Sequence, residues 1–152
     1  MIKYIIIGFL LIISISLLAQ DHTVLYLNSI GVFSAQAIYL TYTSLTTLAD
    51  RYDLGDFGDD EAVQEVEVYI KFARQSSDEL EKLLNQGAVS GEDIAFLNDM
   101  AAGFDLLSAE ANSLKSFINT DQQEHMDNFE KNRTSAWDKI SKLLDIPIPD
   151  GE

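Results

Sequence analysis

Apolar residues recur along most of this chain at intervals of three and four, the repeat that gathers them on one side of an α-helix. The cleanest run is Val63, Val66, Ile70, Ala73, Ser77, Leu80 and Leu84, with spacings of 3, 4, 3, 4, 3 and 4, which predicts a helix over residues 60–86. Ile94, Leu97, Ala101, Phe104, Ser108 and Ala111 form a second seam, broadened on one side by Met100, Leu107, Leu114 and Ile118, and predict a helix over 91–118. Met126, Phe129, Arg133, Ala136, Trp137, Ile140 and Leu144 place another over 121–144. The pattern over 25–52 is more diffuse. Turning ~100° per residue from Ala37 puts Tyr26, Ile30, Phe33, Leu40, Thr41, Ser44 and Leu48 on one face. Small residues there, with Gly31, Ser34 and Ala35 beside them, predict a close neighbour.

Punctuation separates these segments. Gly55 and Gly58 break the chain over 53–59, and Asp59 or Asp60 is placed to cap the helix that follows. Gly87 supplies a left-handed terminator. Ser90 with Asp93, and Thr120 with Gln123, read as capping boxes, in which a hydroxyl and a side chain three residues on satisfy free helix N–H groups. The only two prolines, Pro147 and Pro149, fall in the tail and leave the helix interiors unbroken. Short polar loops make successive helices antiparallel neighbours, so the expected fold is all-α: an up-down-up-down antiparallel four-helix bundle over 20–145, with an extended tail over 146–152. A three-helix bundle is the alternative if the first helix is detached.

The N-terminus changes the picture of where the chain works. One basic residue, Lys3, precedes an unbroken apolar run of 15 residues over 4–18, which ends at Ala19-Gln20-Asp21. Spanning a hydrocarbon core takes ~20 apolar residues, whereas the apolar region of a signal peptide has ~7–15. Residues 1–19 therefore read as a cleaved signal peptide, with an uncleaved inner-membrane anchor as the alternative. Both place the body outside the cytoplasm, periplasmic or secreted. An apolar leader on an Asp/Glu-rich body is similar to small periplasmic proteins of Gram-negative bacteria, a resemblance of composition that assigns no residue a role. The chain has no cysteine, so packing alone must hold the body together.

Charge narrows the partners. There are 25 acidic residues against 10 basic ones, a net charge of −15, and loss of Lys3 with a leader makes the body more acidic still. Such a field repels phosphate backbones and anionic bilayers, so neither nucleic-acid binding nor anionic-membrane binding is expected.

Candidate chemistry is sparse. Asp53, Asp56, Asp59 and Asp60 lie in an acidic stretch over 50–61, where a flexible Asp/Gly loop could offer oxygens to Ca²⁺. Counted from Asp53, however, the third and fifth positions of a calcium loop fall on Gly55 and Phe57, which donate no side-chain oxygen. A solvated, helix-capping loop is the simpler reading. No Glu-x-x-His occurs, the only histidines are His22 and His125, and covalent haem attachment is impossible without cysteine. No cofactor is therefore expected, and no nucleophile–base–acid set suggests an enzyme. Asn132-Arg133-Thr134 matches a glycosylation sequon but falls mid-helix.

Arg133 sits on the apolar seam of its helix, where it must pair or carry its head to solvent. A hairpin turning at Asn119-Thr120 brings it level with residues 105–106 and predicts an Asp105–Arg133 ion pair. Tyr39, Tyr42, Val68, Phe72, Phe96 and Leu106 project away from the seams and are candidates for a partner surface. The expected function is an exported, non-enzymatic binding module that uses a helix face to meet a protein, a peptide or another copy of itself. The alternative is a small-ligand or Ca²⁺ module working through the bundle interior or the acidic loop.

Overall fold

The structure is a computed structural model that describes residues 2–87, 89 and 91–146, without the side chains of residues 2–24 and of Glu92. It is all-helical, with no strand among the described residues. Four helices pack against one another: α1 (Ile2–Asp53), α2 (Asp59–Asn85), α3 (Glu92–Thr120) and α4 (Gln123–Leu143). The chain divides into two units, Met1–Phe33 and Ser34–Glu152. In the first, the described side chains include the exposed Leu25, Tyr26, Val32 and Phe33. The side chains of the expected signal peptide, 1–19, lie outside the described residues, as do Ser90 and most of the tail. No helix among the described residues is long and apolar enough to cross a membrane.

The second unit is organised around α3. Leu97, Met100, Ala101, Phe104, Leu107, Ala111, Leu114 and Ile118 are all buried, as the broadened seam predicts, so this helix packs on α2 along one side and α4 along the other. As α2 advances from Glu67 through Arg74 to Ser77, its partners on α3 recede from Lys115 through Ser108 to Ala101. As α4 advances from Asn132 to Lys139, its α3 partners recede from Ser113 to Asp99. The α2 seam is buried at Val66, Ile70, Ala73, Ser77 and Leu80, with Ala62 in place of Val63. Ser77 fits because its hydroxyl donates to the Ala101 carbonyl at 3.4 Å, satisfying an oxygen that burial would otherwise strand.

The buried face of α1 differs from the predicted one. Ala35, Ile38, Thr41, Leu45 and Leu48 are buried, whereas Phe33 and Leu40 are exposed. Against the expectation centred on Ala37, the face is turned by roughly a quarter turn. Apolar residues run nearly all round this helix, so its periodicity points only weakly, and packing chooses the face with fewer bulky groups. Gly103 on α3 shows how tight that packing is. A methyl group there would lie 3.2 Å from Ile38 Cδ1 of α1 and 3.7 Å from Leu143 Cδ1 of α4.

Helix ends also depart from expectation. α1 closes in a Schellman motif: Gly55 is left-handed at φ 77°, its N–H donates to Tyr52, and the Asp56 N–H reaches back to Arg51 at 2.9 Å. Gly87 is left-handed as predicted, at φ 66°. Asp59 and Asp60 lie inside the first turn of α2 behind Gly58 and serve it by charge rather than as caps. The Thr120–Gln123 capping box does not form. α3 continues through Thr120, whose hydroxyl donates to the Ser116 carbonyl, and Asp121 adopts the left-handed conformation at φ 53° to end it. The hairpin thus turns at residues 121–122, two later than predicted.

Phe104 is, with Phe129, the largest described side chain held almost wholly out of solvent, and it meets the Phe72 ring edge-on with centroids 6.0 Å apart. Phe104→Ala should destabilise the fold by ~3–5 kcal/mol, read as a lower urea midpoint with an unchanged slope. A loss below ~1 kcal/mol would show that α3 is not the central packing element.

Candidate functional site

The later turn decides what Arg133 meets. Moving the turn by two residues moves the facing level on α3 by four, one helical turn, from residues 105–106 to Glu110. Among the described residues no ion pair joins Asp105 to Arg133, and Asp105 is exposed. Arg133 instead bonds Glu130 on its own helix at 2.6 Å and lies over the Phe129 ring at 5.6 Å.

Glu110 is the outlier of the interior. It is 0% exposed, and neither carboxylate oxygen has a hydrogen-bond partner. Burial pushes its pKa up to about 8; Arg133 opposes that rise and the Glu130 charge adds to it. At neutral pH the group is therefore chiefly the uncharged acid, which escapes the much larger penalty of burying a lone carboxylate. From α1, Tyr42 adjoins the same region. Burial, and then the Glu110 charge, raise its phenol above the ordinary value, and its ring stacks on Trp137 of α4 with centroids 5.3 Å apart. Thr46, one turn beyond Tyr42, adds a buried hydroxyl whose interaction with the phenol opposes that rise. Three helices thus converge on a small polar cluster inside an apolar core.

The position of Glu110 was legible, though its role was not. Residues 103, 107, 110 and 114 follow the same spacing of four, three and four as the seam beside it. In a chain with 25 acidic residues, nothing in the sequence sets this glutamate apart from the solvated ones.

The acidic loop brings its carboxylates to separate partners. Arg51 Nε meets Asp56 Oδ2 at 3.2 Å with its guanidinium 4.2 Å from the Phe57 ring, and Tyr52 donates to Asp59 Oδ1 at 3.0 Å. Asp53 and Asp60 are exposed, and among the described residues no three His, Cys, Asp or Glu side chains converge as a metal site.

The candidate partner residues do not form one surface. Tyr42 is half-buried under Trp137, Leu106 is half-buried, and Phe96 and Tyr39 are exposed on α3 and α1. Val68 and Phe72 are brought together with Leu40 in a groove of about 270 Å³ between α1 and α2, floored by Thr41, Ser44 and Tyr69. Leu40, 62% exposed, was expected in the core and joins this wall through the quarter turn of α1.

No protein-family model, curated protein or solved structure matches the chain.

A raised carboxyl pKa means that the folded state holds a proton which the unfolded state has released. The associated stability is complete below the ordinary value of about 4.5 and is lost as pH rises to about 8, at up to ~1.4 kcal/mol per pH unit. Glu110→Gln should flatten that interval of the melting-temperature profile, so that its advantage over the wild type grows from pH 4.5 to pH 8. Parallel profiles for the two proteins would show that Glu110 is ionised throughout.

Proposed function

We propose that this protein is an exported, non-enzymatic binding module: an up-down-up-down bundle whose α1/α2 wall receives a protein or peptide partner. The observation that carries this reading is the gathering of Leu40, Val68 and Phe72, exposed by 62%, 61% and 42%, on one groove. Single exposed apolar residues are ordinary, whereas three bordering one concavity mark a surface suited to association. The receding order of partners along α2/α3 and α3/α4 supports the antiparallel topology. The leader-like stretch over 1–19 supports export to the periplasm or beyond.

The partner is a different chain, neutral or basic and presenting apolar side chains. A second copy would bring another net charge of −15 against the first, and like fields slow and weaken encounter. Glu110 does not support a catalytic reading, because a carboxyl with no exposed surface cannot reach a substrate without opening of the core.

A photo-reactive residue in place of Val68, introduced in the native host, should give a covalent adduct with a different chain. The same residue in place of the exposed Thr134 of α4 should not, and Leu40→Glu should abolish the Val68 adduct. Equal labelling from both positions would overturn the assignment of this wall, and an adduct of two copies of this chain would overturn the choice of a foreign partner.

A further inference from the structure

A second groove, between α2 and α3, has the opposite electrostatic character from the rest of the molecule. It encloses about 580 Å³ and is lined by Lys71, Arg74 and Lys115 against a single acid, Glu67, with Ile70 and Val68 as apolar surface. Three cations to one carboxylate is the reverse of a chain with 25 acidic and 10 basic residues. Its size lies within the ~300–1,000 Å³ of small-molecule sites.

Arg74 gives the groove its character. Its Nε donates to Ser108 Oγ at 3.3 Å and its Nη2 to Asn112 Oδ1 at 3.5 Å, both neutral acceptors. Asn112 is itself oriented, because its amide nitrogen donates to the Ser108 carbonyl at 2.6 Å. The guanidinium is therefore positioned from α3 without being neutralised, and three of its five N–H donors remain for a ligand. Lys71, one turn before Arg74 on α2, has no ion pair among the described residues, while Lys115 is held against Glu67 at 2.6 Å. From the level of Glu67 to that of Arg74, the row of positive charge spans ~10 Å at 1.5 Å per residue. A solvated helix face would show cations as well. An unpaired lysine alone is ordinary here, since Lys131 and Lys142 are also in no ion pair among the described residues; what a solvated face would not show is an arginine tethered by neutral groups in a concavity with an apolar floor.

We propose that the α2/α3 groove binds a small amphipathic anion, its carboxylate or phosphate held by Arg74 and Lys71 and its short apolar body lying on Val68 and Ile70. Arg74 supplies planar, two-pronged recognition of the oxyanion and Lys71 a point charge. Lys115, held against Glu67, extends the positive row. The site shares Val68 with the partner wall on α1 and α2, but its anion-holding residues are distinct, because neither Arg74 nor Lys71 lines that groove.

The test is amide chemical-shift titration of the full ¹⁵N-labelled chain at low ionic strength with octanoate, octyl phosphate, inorganic phosphate and octanol. Saturable shifts confined to amides near residues 64–75 and 108–115 are expected with octanoate or octyl phosphate, and the tighter of the two identifies the head group. Arg74→Gln and Lys71→Gln together should weaken that binding at least tenfold while leaving the melting temperature unchanged. Arg74→Lys, which keeps the charge and loses the fork, should fall between. The proposal is overturned if neither amphiphile saturates, if octanol binds as tightly as the anions, if inorganic phosphate binds as tightly as octyl phosphate, or if the double variant binds like the wild type.

Discussion

Burial of α3 on two sides is the constraint from which the other features follow. Without a cysteine anywhere in the chain, no crosslink shortens the unfolded state, and cohesion must come from apolar area removed from water. A helix that covers α2 with one side and α4 with the other has to be apolar over a wide arc, and Leu97, Met100, Phe104, Leu107, Leu114 and Ile118 provide it. It also has to let its neighbours close in. Gly103 does this where Ile38 and Leu143 converge, and Ala73, Ala101, Ala111 and Ala136 do the same elsewhere in the core.

Against that requirement, Glu110 is a local contradiction, and its surroundings show how the fold tolerates it. A methionine or leucine of similar volume would fill the same place without stranding two oxygens. The carboxyl instead lies near an arginine already committed to Glu130 at the edge of the core. While Glu110 is neutral, Arg133 has no reason to leave Glu130. Once it ionises, Arg133 has two carboxylates to choose between, one of them in a medium where attraction is far stronger than in water. Tyr42 of α1, stacked on Trp137 of α4, feels the charges of both Glu110 and Arg133.

How much of this could be read from the sequence depended on how one-sided each helix is. α2 carries a clean seam with charged residues opposite, and its ends and buried face were legible to within a residue or two. α1 is apolar almost all round, so its buried face was misplaced by a quarter turn, and Leu40 was sent inward when it belongs to a surface groove. The capping box at Thr120 illustrates a second limit. A threonine can end one helix or begin the next, and the left-handed tolerance of Asp121 settled the matter in favour of a longer α3. A two-residue shift of the turn becomes a full helical turn in the register of the hairpin, which is why the sequence pattern pairs Arg133 with Asp105 while Glu110 faces it in the structure.

Cations are scarce in this chain, and where they go is informative. Arg51, Lys82, Lys115, Arg133 and Lys139 each sit in an ion pair, with Asp56, Glu79, Glu67, Glu130 and Asp99 respectively. Arg51 and Arg133 also lie over aromatic rings. Lys71, Arg74, Lys131 and Lys142 are in no ion pair among the described residues, and of these Lys71 and Arg74 are neighbours on one helix face and line one groove. Arg74 is turned instead toward a serine and an asparagine on α3. Solubility explains an acidic surface, but it does not explain an arginine held by neutral groups beside a second cation in one groove of such a surface. Partners absent from the polypeptide itself would account for them, and the groove they line has room for one.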